Sequence, residues 1–344
     1  MRLRTSDPAA VGWRRIRHGR GFRYLDAHGR RLPAADRDRI RALVIPPAWQ
    51  DVWICPWPNG HIQAVGTDAA GRRQYLYHPR FREQRDAAKH EHVQGVARAL
   101  PRLRKAVTRD LGGRGLSRTR VLACVTRLLD LGFLRIGGER YARDNGSFGL
   151  TTLRREHAVC RAGEIRLCFP AKSGKTVTRT LVDEQAHAVI RSLLRRKEQG
   201  PRLFAYWERG AWHEVHAEDL NAYLRDRSGR DVTAKDFRTW YATVLAAVAL
   251  AVSQTTSGAS RARRGRVVAR AVREVSDYLG NTPAVCRASY IDPRVIELYE
   301  GGETIAGSLG ELGEGGLFGR PATHGGVERS VLRLLRAGSA EGAG

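Results

Sequence analysis

The sequence predicts an α+β fold, with a small sheet-rich N-terminal domain over residues 1–82 and a larger, mostly α-helical domain over 83–300 that carries a short three-stranded β-sheet. Three observations predict it. Aromatic residues, prolines and short alternating runs crowd the first domain, apolar residues recur at helical spacing in the second, and that spacing is interrupted between 151 and 182. Hydrophobic residues make up 42% of the 344 positions, which is enough for one large or two medium cores.

In the first domain, alternating apolar and polar residues predict a hairpin and further strands, with a helix or two between them. The hairpin spans 22–32 and turns at His28-Gly29, and Pro46-Pro47 ends the apolar run that starts at Ile40. The further strands are predicted at 53–55, 61–65 and 74–77. The first domain is therefore expected to be a small sheet with limited helical cover.

In the second domain the pattern becomes helical from about Phe81, and apolar residues recur at helical spacing over 92–111 and 118–134. Three short strands follow, at 153–159, 164–169 and 176–181. Lys172 lies in the turn between the last two strands, where Ser173-Gly174 supplies the bend. Helices then resume at 183–196, 217–225, 234–252 and 261–279, with a polar loop at 253–258.

The last 44 residues, 301–344, differ in composition from the rest of the chain. Thirteen of them are glycine, and five glutamates against four arginines give a net charge of −1. Such a segment can bury too little apolar surface to fold alone, and we expect it to be mostly disordered. A short amphipathic stretch at 331–335 either docks on the folded body or is a chance pattern.

The chain has a formal net charge of +25 and an isoelectric point of about 11.0. Because the tail is slightly acidic, residues 1–300 carry +26, and the positive charge belongs to the predicted folded body. This distribution argues against a ribosomal or chromatin protein with a basic tail. A body this basic is expected to bind a polyanion, and double-stranded DNA presents a dense line of phosphates.

Several sequence features bear on the compartment in which the protein works. The five cysteines form no C-x-x-C pair, and histidines show no zinc-finger spacing, so we expect thiols in a reducing compartment and no metal. No apolar stretch is long enough to span a bilayer, and no signal peptide is present. These features predict a cytoplasmic, nucleoid-associated protein without a membrane partner.

Five residues together have the chemistry needed to attack a phosphodiester: Arg135, Lys172, Arg238, Asn281 and Tyr290. A tyrosine can act as nucleophile, and arginine and amide groups can stabilise the charge that develops on the non-bridging phosphate oxygens. A lysine can protonate the leaving 5′-oxygen. The chain has six lysines against 54 arginines, so a retained lysine suggests a need for a proton that arginine does not release near neutral pH.

The order and spacing of these residues resemble the type IB DNA topoisomerases, specifically the small poxvirus-like group found in bacteria. Thirty-seven positions separate Arg135 from Lys172, and nine separate Asn281 from Tyr290, as in that family. The resemblance runs from about residue 21 to about residue 300. Three further segments within it match motifs of the family: Gly71-Arg72-Arg73-Gln74-Tyr75-Leu76-Tyr77, Leu134-Arg135-Ile136-Gly137 with the following Tyr141, and Gly149-Leu150-Thr151-Thr152-Leu153.

The resemblance implies an enzyme that relaxes supercoiled duplex DNA without ATP or metal, acts as a monomer and closes its two domains on the duplex. In that mechanism Tyr290 forms a 3′-phosphotyrosyl link, Lys172 is the general acid, and Arg135, Arg238 and Asn281 stabilise the phosphorane. Many members carry histidine where this chain has Asn281, which indicates a hydrogen-bond donor rather than an acid at that position. The resemblance also implies a set of DNA contacts: Arg72, Gln74, Tyr75, Tyr77, Tyr141 and Lys235.

Two alternatives stay open at this point. A tyrosine recombinase uses a similar residue set, but its second arginine typically lies in His-x-x-Arg, whereas this chain has Lys235-x-x-Arg238. A non-catalytic basic DNA-binding protein would leave the five-residue set unexplained. An ATPase is excluded, because in the P-loop-like segment that ends at Thr176 the first glycine is replaced by Phe169.

Overall fold

The computed structural model describes residues 2–197, 200–253, 260–311 and 323–341. It confirms the α+β class, with ten strands and eleven α-helices in those ranges. The chain divides into two compact units, residues 1–91 and 92–344. The sequence-based boundary after residue 82 remains a prediction. No helix in the described ranges is both long and apolar enough to cross a membrane.

The first unit is built on a five-stranded antiparallel sheet with the strand order β2-β1-β3-β4-β5. The elements are β1 (Trp13–His18), β2 (Gly21–Leu25), α1 (Ala34–Ala42), β3 (Gln50–Ile54), β4 (Ile62–Thr67) and β5 (Arg73–Tyr77). Buried Ile40 of α1 packs against Val52, Ile54 and Ala64 of the central strands. One face of the sheet therefore forms the small core of this unit.

The predicted hairpin at 22–32 is only partly correct. β2 is a strand, but its main partner is the preceding β1, which begins before the predicted hairpin. Beyond the turn, only an isolated bridge joins Leu25 to Arg31. The three further strands are confirmed as β3, β4 and β5.

The second unit is mostly helical and contains the larger core. Its helices are α2 (Pro79–Leu111), which begins in the first unit, α3 (Arg118–Gly132), α4 (Glu139–Asn145), α5 (Glu184–Arg195), α6 (Ala217–Ser228), α7 (Ala234–Val252), α8 (Arg261–Leu279), α9 (Pro283–Ser289), α10 (Pro293–Glu300) and α11 (Gly326–Glu341). The predicted three-stranded sheet is confirmed as β6 (Ala158–Arg161), β7 (Glu164–Pro170) and β8 (Thr176–Val182). A hairpin of β9 (Ala205–Glu208) and β10 (Ala211–Glu214) was not predicted.

Helices α3 and α7 form the centre of this core. Every residue of α3 from Val121 to Gly132 is buried, and α7 contributes the fully buried aromatic side chains of Phe237, Trp240 and Tyr241. The Phe133 ring meets the Tyr241 ring edge-on, with the centroids 4.4 Å apart. Because α3 leads to Arg135 and α7 carries Arg238, this packing fixes the backbone on both sides of the candidate site.

The described part of the tail differs from the predicted disorder. Helix α11 packs into the main core through the fully buried side chains of Val327, Val331 and Leu335. The amphipathic stretch at 331–335 is therefore a docked surface, and its apolar residues recur every four positions as one helix face requires. The rest of the predicted disorder, at 312–322 and 342–344, and most of the predicted 253–258 loop lie outside the described residues.

Candidate active site

Arg135 is presented by a turn that depends on two glycines. Helix α3 ends at Phe133, which adopts the left-handed conformation (φ 53°). Gly137 has φ 95°, and its backbone lies so close to Gly149 that a Cβ on Gly149 would be 2.4 Å from the Gly137 nitrogen. The Leu150 backbone N–H donates to the Arg135 carbonyl at 2.8 Å. The two glycines of the sequence motifs therefore allow two backbone segments to meet and hold Arg135 in place.

The C-terminal end of α8 holds both candidate arginines. Gly280 ends this helix in the left-handed conformation (φ 64°), and the last carbonyls of a helix have no partner within it. Arg238 donates to the Leu279 carbonyl at 2.8 Å and to the Phe133 carbonyl at 2.7 Å. Arg135 donates to the Gly280 carbonyl at 2.9 Å and to the side-chain oxygen of Asn281. Arg135, Arg238 and Asn281 therefore form one connected group.

Arg238 is a buried cation without a carboxylate partner among the described residues; its residue exposure is 5%. Burial, and next the positive charge of Arg135, lowers the pKa of Arg238 to about 10. Its Nε and the Nδ2 of Asn281 are buried and have no hydrogen-bond partner. Buried donors without partners are costly, and two neighbouring guanidiniums repel, so an anion bound at this point would relieve both penalties.

Tyr290 directly follows α9, a helix of seven residues whose N-cap is Thr282 and which starts with Pro283. This short helix accounts for the nine positions between Asn281 and Tyr290. The Tyr290 N–H donates to the Cys286 carbonyl at 3.0 Å, and the Tyr290 carbonyl accepts from Thr243 Oγ1 at 3.4 Å. Its half-buried ring lies 5.6 Å from the guanidinium carbon of Arg238. The tyrosine is therefore held beside the arginine pair.

Lys172 occupies the predicted turn between β7 and β8. A 3-10 turn spans Lys172–Gly174, and Gly174 has φ 70°, a conformation that glycine adopts without strain. Lys172 is exposed and lines a cleft of about 200 Å³. Arg135 and Arg238 line the same cleft, as do Lys175, Arg179 and the exposed Asp277. Lys175 and Arg179 were not among the sequence-based candidates, since neither lies in a motif.

The structure thus brings all five candidate residues to one place. Three of them, Arg135, Lys172 and Arg238, line the cleft. Asn281 is hydrogen-bonded to Arg135, and the Tyr290 ring lies beside Arg238. A positively charged cleft beside a tyrosine hydroxyl and a lysine ammonium group is an arrangement that could support transfer of a phosphoryl group.

The predicted DNA contacts of the first unit lie on and beside β5. The rings of Tyr75 and Tyr77 are stacked at 6.0 Å on one face, as the alternation predicts. Arg72 and Gln74 both donate to the carboxylate of Asp68, each at 2.9 Å. The backbone N–H and guanidinium of Arg72 lower the pKa of Asp68 to about 2. Part of the hydrogen-bonding capacity of these two side chains is therefore used within the protein.

The other two predicted contacts belong to the second unit. Tyr141 on α4 is 57% exposed, and Lys235 in the first turn of α7 is exposed three positions before Arg238. A DNA-contact role for these residues, as for those beside β5, remains a prediction.

The sequence of the chain is similar to those of known proteins over both units. Residues 78–301 match the family described as the catalytic core of eukaryotic DNA topoisomerase I, and residues 21–68 match the N-terminal domain of bacterial DNA topoisomerase IB. A DNA topoisomerase 1B of Acanthamoeba polyphaga mimivirus is 33% identical over 286 residues, covering 81% of this chain and 84% of that protein. DNA topoisomerase 1B of vaccinia virus (strain Copenhagen) is 20% identical, covering 69% and 72%.

Proposed function

The chain belongs to the type IB DNA topoisomerases, and on this basis we propose that it relaxes supercoiled duplex DNA by cutting, rotating and rejoining one strand. The reaction uses no ATP and no metal ion. It exchanges one phosphodiester for another, so the energy of the cut bond is kept in a 3′-phosphotyrosyl link. We further propose that the protein works as a monomer on the nucleoid, where its substrate is found.

The Tyr290 hydroxyl is the nucleophile. Its oxygen bonds to the scissile phosphorus, and the bond from phosphorus to the 5′-oxygen breaks. The phenolic proton passes to water, and Lys172 gives a proton to the departing 5′-oxygen, which leaves as a hydroxyl. After rotation of the free strand, that hydroxyl attacks the phosphotyrosine, the same proton transfers run in reverse, and the DNA is rejoined.

Arg135, Arg238 and Asn281 stabilise the pentacoordinate phosphorane. The observation that carries the proposal is the pairing of two guanidiniums in one cleft beside the Tyr290 ring. Neither guanidinium forms an ion pair with a carboxylate of the described residues, although Asp277 also lines the cleft. The negative charge is greatest in the transition state, and donors that are already in place stabilise it without reorganisation. The departure from histidine at Asn281 fits this scheme, because its amide donates a hydrogen bond and does not titrate.

Relaxation of supercoiled plasmid in EDTA without ATP tests this proposal. We expect the wild type to give a ladder of partly relaxed forms and, after SDS, a protein covalently joined to the 3′ end of the cut strand. Tyr290→Phe lacks only the nucleophilic oxygen, so it should bind DNA normally and form neither product. Tyr24→Phe, which loses a hydroxyl from a half-buried tyrosine outside the cleft lining, is the matched control and should behave as wild type.

Three results would contradict the proposal. Relaxation by Tyr290→Phe would exclude that residue as the nucleophile. An adduct without relaxation in the wild type would favour a tyrosine recombinase, and binding without either product would favour a non-catalytic DNA-binding protein.

A further inference from the structure

We propose that Arg179 is an additional phosphate-binding residue of the cleft, and that it holds the phosphate next to the scissile one on the cleaved strand. This inference rests on the proposed function and deepens it, because it states how the strand is positioned on both sides of the reacting bond.

The position of Arg179 within its strand is unusual for a charged residue. On β8 the side chains of Val177, Arg179 and Leu181 alternate with those of more exposed neighbours, and Val177 and Leu181 pack against the main core. Arg179 therefore occupies an inward-facing position between two apolar residues. A charge in such a position requires a compensating partner. Among the described residues no carboxylate forms an ion pair with it, although Asp277 lines the same cleft, and its hydrogen bonds and ring contact are to neutral groups.

The contacts of Arg179 extend the arrangement already seen for the two candidate catalytic arginines. Arg179 donates to the Tyr278 carbonyl at 2.6 Å. The next two carbonyls, of Leu279 and Gly280, accept from Arg238 and Arg135. Three guanidiniums are thus bound to three consecutive carbonyls at the C-terminal end of α8, where the negative end of the helix dipole partly offsets their charge.

This end of α8 also concentrates buried donors that lack partners. The Nε of Arg179, the Nε of Arg238 and the Nδ2 of Asn281 are all buried without a hydrogen bond. Partial charges at a helix end cannot balance three full cations, and unpaired donors are costly. A strand of DNA offers successive phosphates, so it can neutralise more than one guanidinium at once.

The place of Arg179 relative to the other residues favours the neighbouring phosphate over the scissile one. Arg238 lies beside the nucleophile Tyr290, whereas Arg179 is on the β7–β8 hairpin that carries Lys172 and is held by the ring and carbonyl of Tyr278. Bound there, a guanidinium fixes the register of the strand, and the scissile phosphate is delivered to Arg135 and Arg238 in line for attack.

DNA in which one phosphate is replaced by a neutral methylphosphonate tests the inference. Single-turnover cleavage is measured for substrates neutralised at each position next to the scissile phosphate, using wild type, Arg179→Gln and Arg166→Gln. Arg166 is an exposed arginine on the adjoining β7, paired in register with Thr180 and outside the cleft lining, and it serves as the matched control.

We expect Arg179→Gln to slow cleavage of ordinary DNA about 10-fold to 100-fold, the range for one charge-assisted hydrogen bond. Wild type and Arg166→Gln should lose a similar factor when one particular neighbouring phosphate is neutralised. The cleavage rate of Arg179→Gln should fall little further on that substrate, because this variant already lacks the guanidinium that contacts the neutralised phosphate. Arg179→Lys should keep the sensitivity, since the charge remains.

The inference would be overturned if Arg179→Gln lost the same further factor in cleavage rate as wild type at every neutralised position. Arg179 would then serve only to cap the C-terminal end of α8. If Arg179→Gln fails to fold, Arg179→Lys provides the test. Cleavage by Arg179→Lys that no longer depends on the charge of that phosphate would also overturn the inference. Failure of the proposed function is distinguishable, because it would appear as the absence of a Tyr290 adduct in wild type on unmodified DNA.

Discussion

The docked C-terminal helix provides a prediction about stability that the amino-acid composition of the tail would not suggest. Glu328 in the first turn of α11 is only 7% exposed and accepts from Arg104 at 2.6 and 2.9 Å and from the Trp240 indole at 3.0 Å. Arg104 also donates to Asp130 at 3.0 and 3.1 Å. Glu328 therefore ties α11 to α2, α3 and α7, the last of which carries Arg238.

Glu328→Ala removes one carboxylate from this buried group and leaves Arg104 with Asp130. Breaking a buried ion pair lowers the free energy of unfolding by about 3–5 kcal/mol. Because Arg104 keeps Asp130 as a partner, we expect a loss near the lower end of this range, at about 3 kcal/mol. For a unit of this size each kcal/mol shifts the melting temperature by about 2–4 °C, so we expect a fall of roughly 6–12 °C. Truncation after residue 311 should cost more, because it also loses the burial of Val327, Val331 and Leu335, about 1.5–3 kcal/mol each.

The same carboxylate should make stability depend on pH. Burial alone would raise the pKa of Glu328, but the hydrogen bonds and charge of Arg104 outweigh it, and the pKa is lower than that of an ordinary glutamate. A carboxyl whose pKa is lower in the folded state contributes its full stability above the unfolded pKa of about 4.3. The contribution is lost as the pH falls through the folded pKa. The difference in melting temperature between wild type and Glu328→Gln should therefore be largest near pH 7 and shrink below pH 4.

Thermal unfolding of the purified variants is the measurement, with Glu297→Ala on the exposed face of α10 as the control. That change should cost less than about 0.5 kcal/mol. If Glu328→Ala melts within 2 °C of wild type, or if the difference between wild type and Glu328→Gln stays the same from pH 7 down to well below pH 4, the buried ion-pair argument is wrong.

Two further predictions concern the reaction. Lys172→Ala should cleave ordinary DNA poorly but recover on DNA whose 5′-bridging oxygen at the cleavage site is sulfur, because a thiolate leaves without a proton; absence of recovery in single-turnover assays would reject the general-acid role. Gly149→Ala places a methyl group 2.4–2.8 Å from backbone atoms of Gly137 and Arg135, so it should slow cleavage at least tenfold by displacing Arg135, at a cost in stability of about 1–3 kcal/mol. Wild-type cleavage rates in Gly149→Ala would show that this close approach does not position the arginine, and Gly265→Ala, where a Cβ meets open space, is the control.

Local patterns were enough for much of the fold. The bounds predicted for α8 and α7 agree with the structure, because both helices have one apolar face or a long apolar run with clear ends. Elements with weak local patterns were missed. The strands of the β9–β10 hairpin have four residues each, too few to show a period. The helical pattern predicted from about Phe81 is confirmed by α2, although its amphipathic part was assigned only from residue 92, because the preceding residues are mostly polar and largely exposed. Tail composition predicted disorder where α11 docks, because three apolar residues that are insufficient alone become sufficient against an existing core.

The sequence by itself determined which residues could perform the chemistry, and even the turn that presents Lys172, because residue type, order and spacing along the chain are local properties. Only the tertiary structure decided how they are held. Arg135, Arg179 and Arg238 come from three distant segments and meet at three successive carbonyls at the C-terminal end of α8. Each arginine lies at least 40 residues along the chain from these carbonyls. Hydrogen bonds between such distant segments depend on the packing of whole elements, which no local pattern records. Glu328 is a second case, since its partner Arg104 lies 224 residues away.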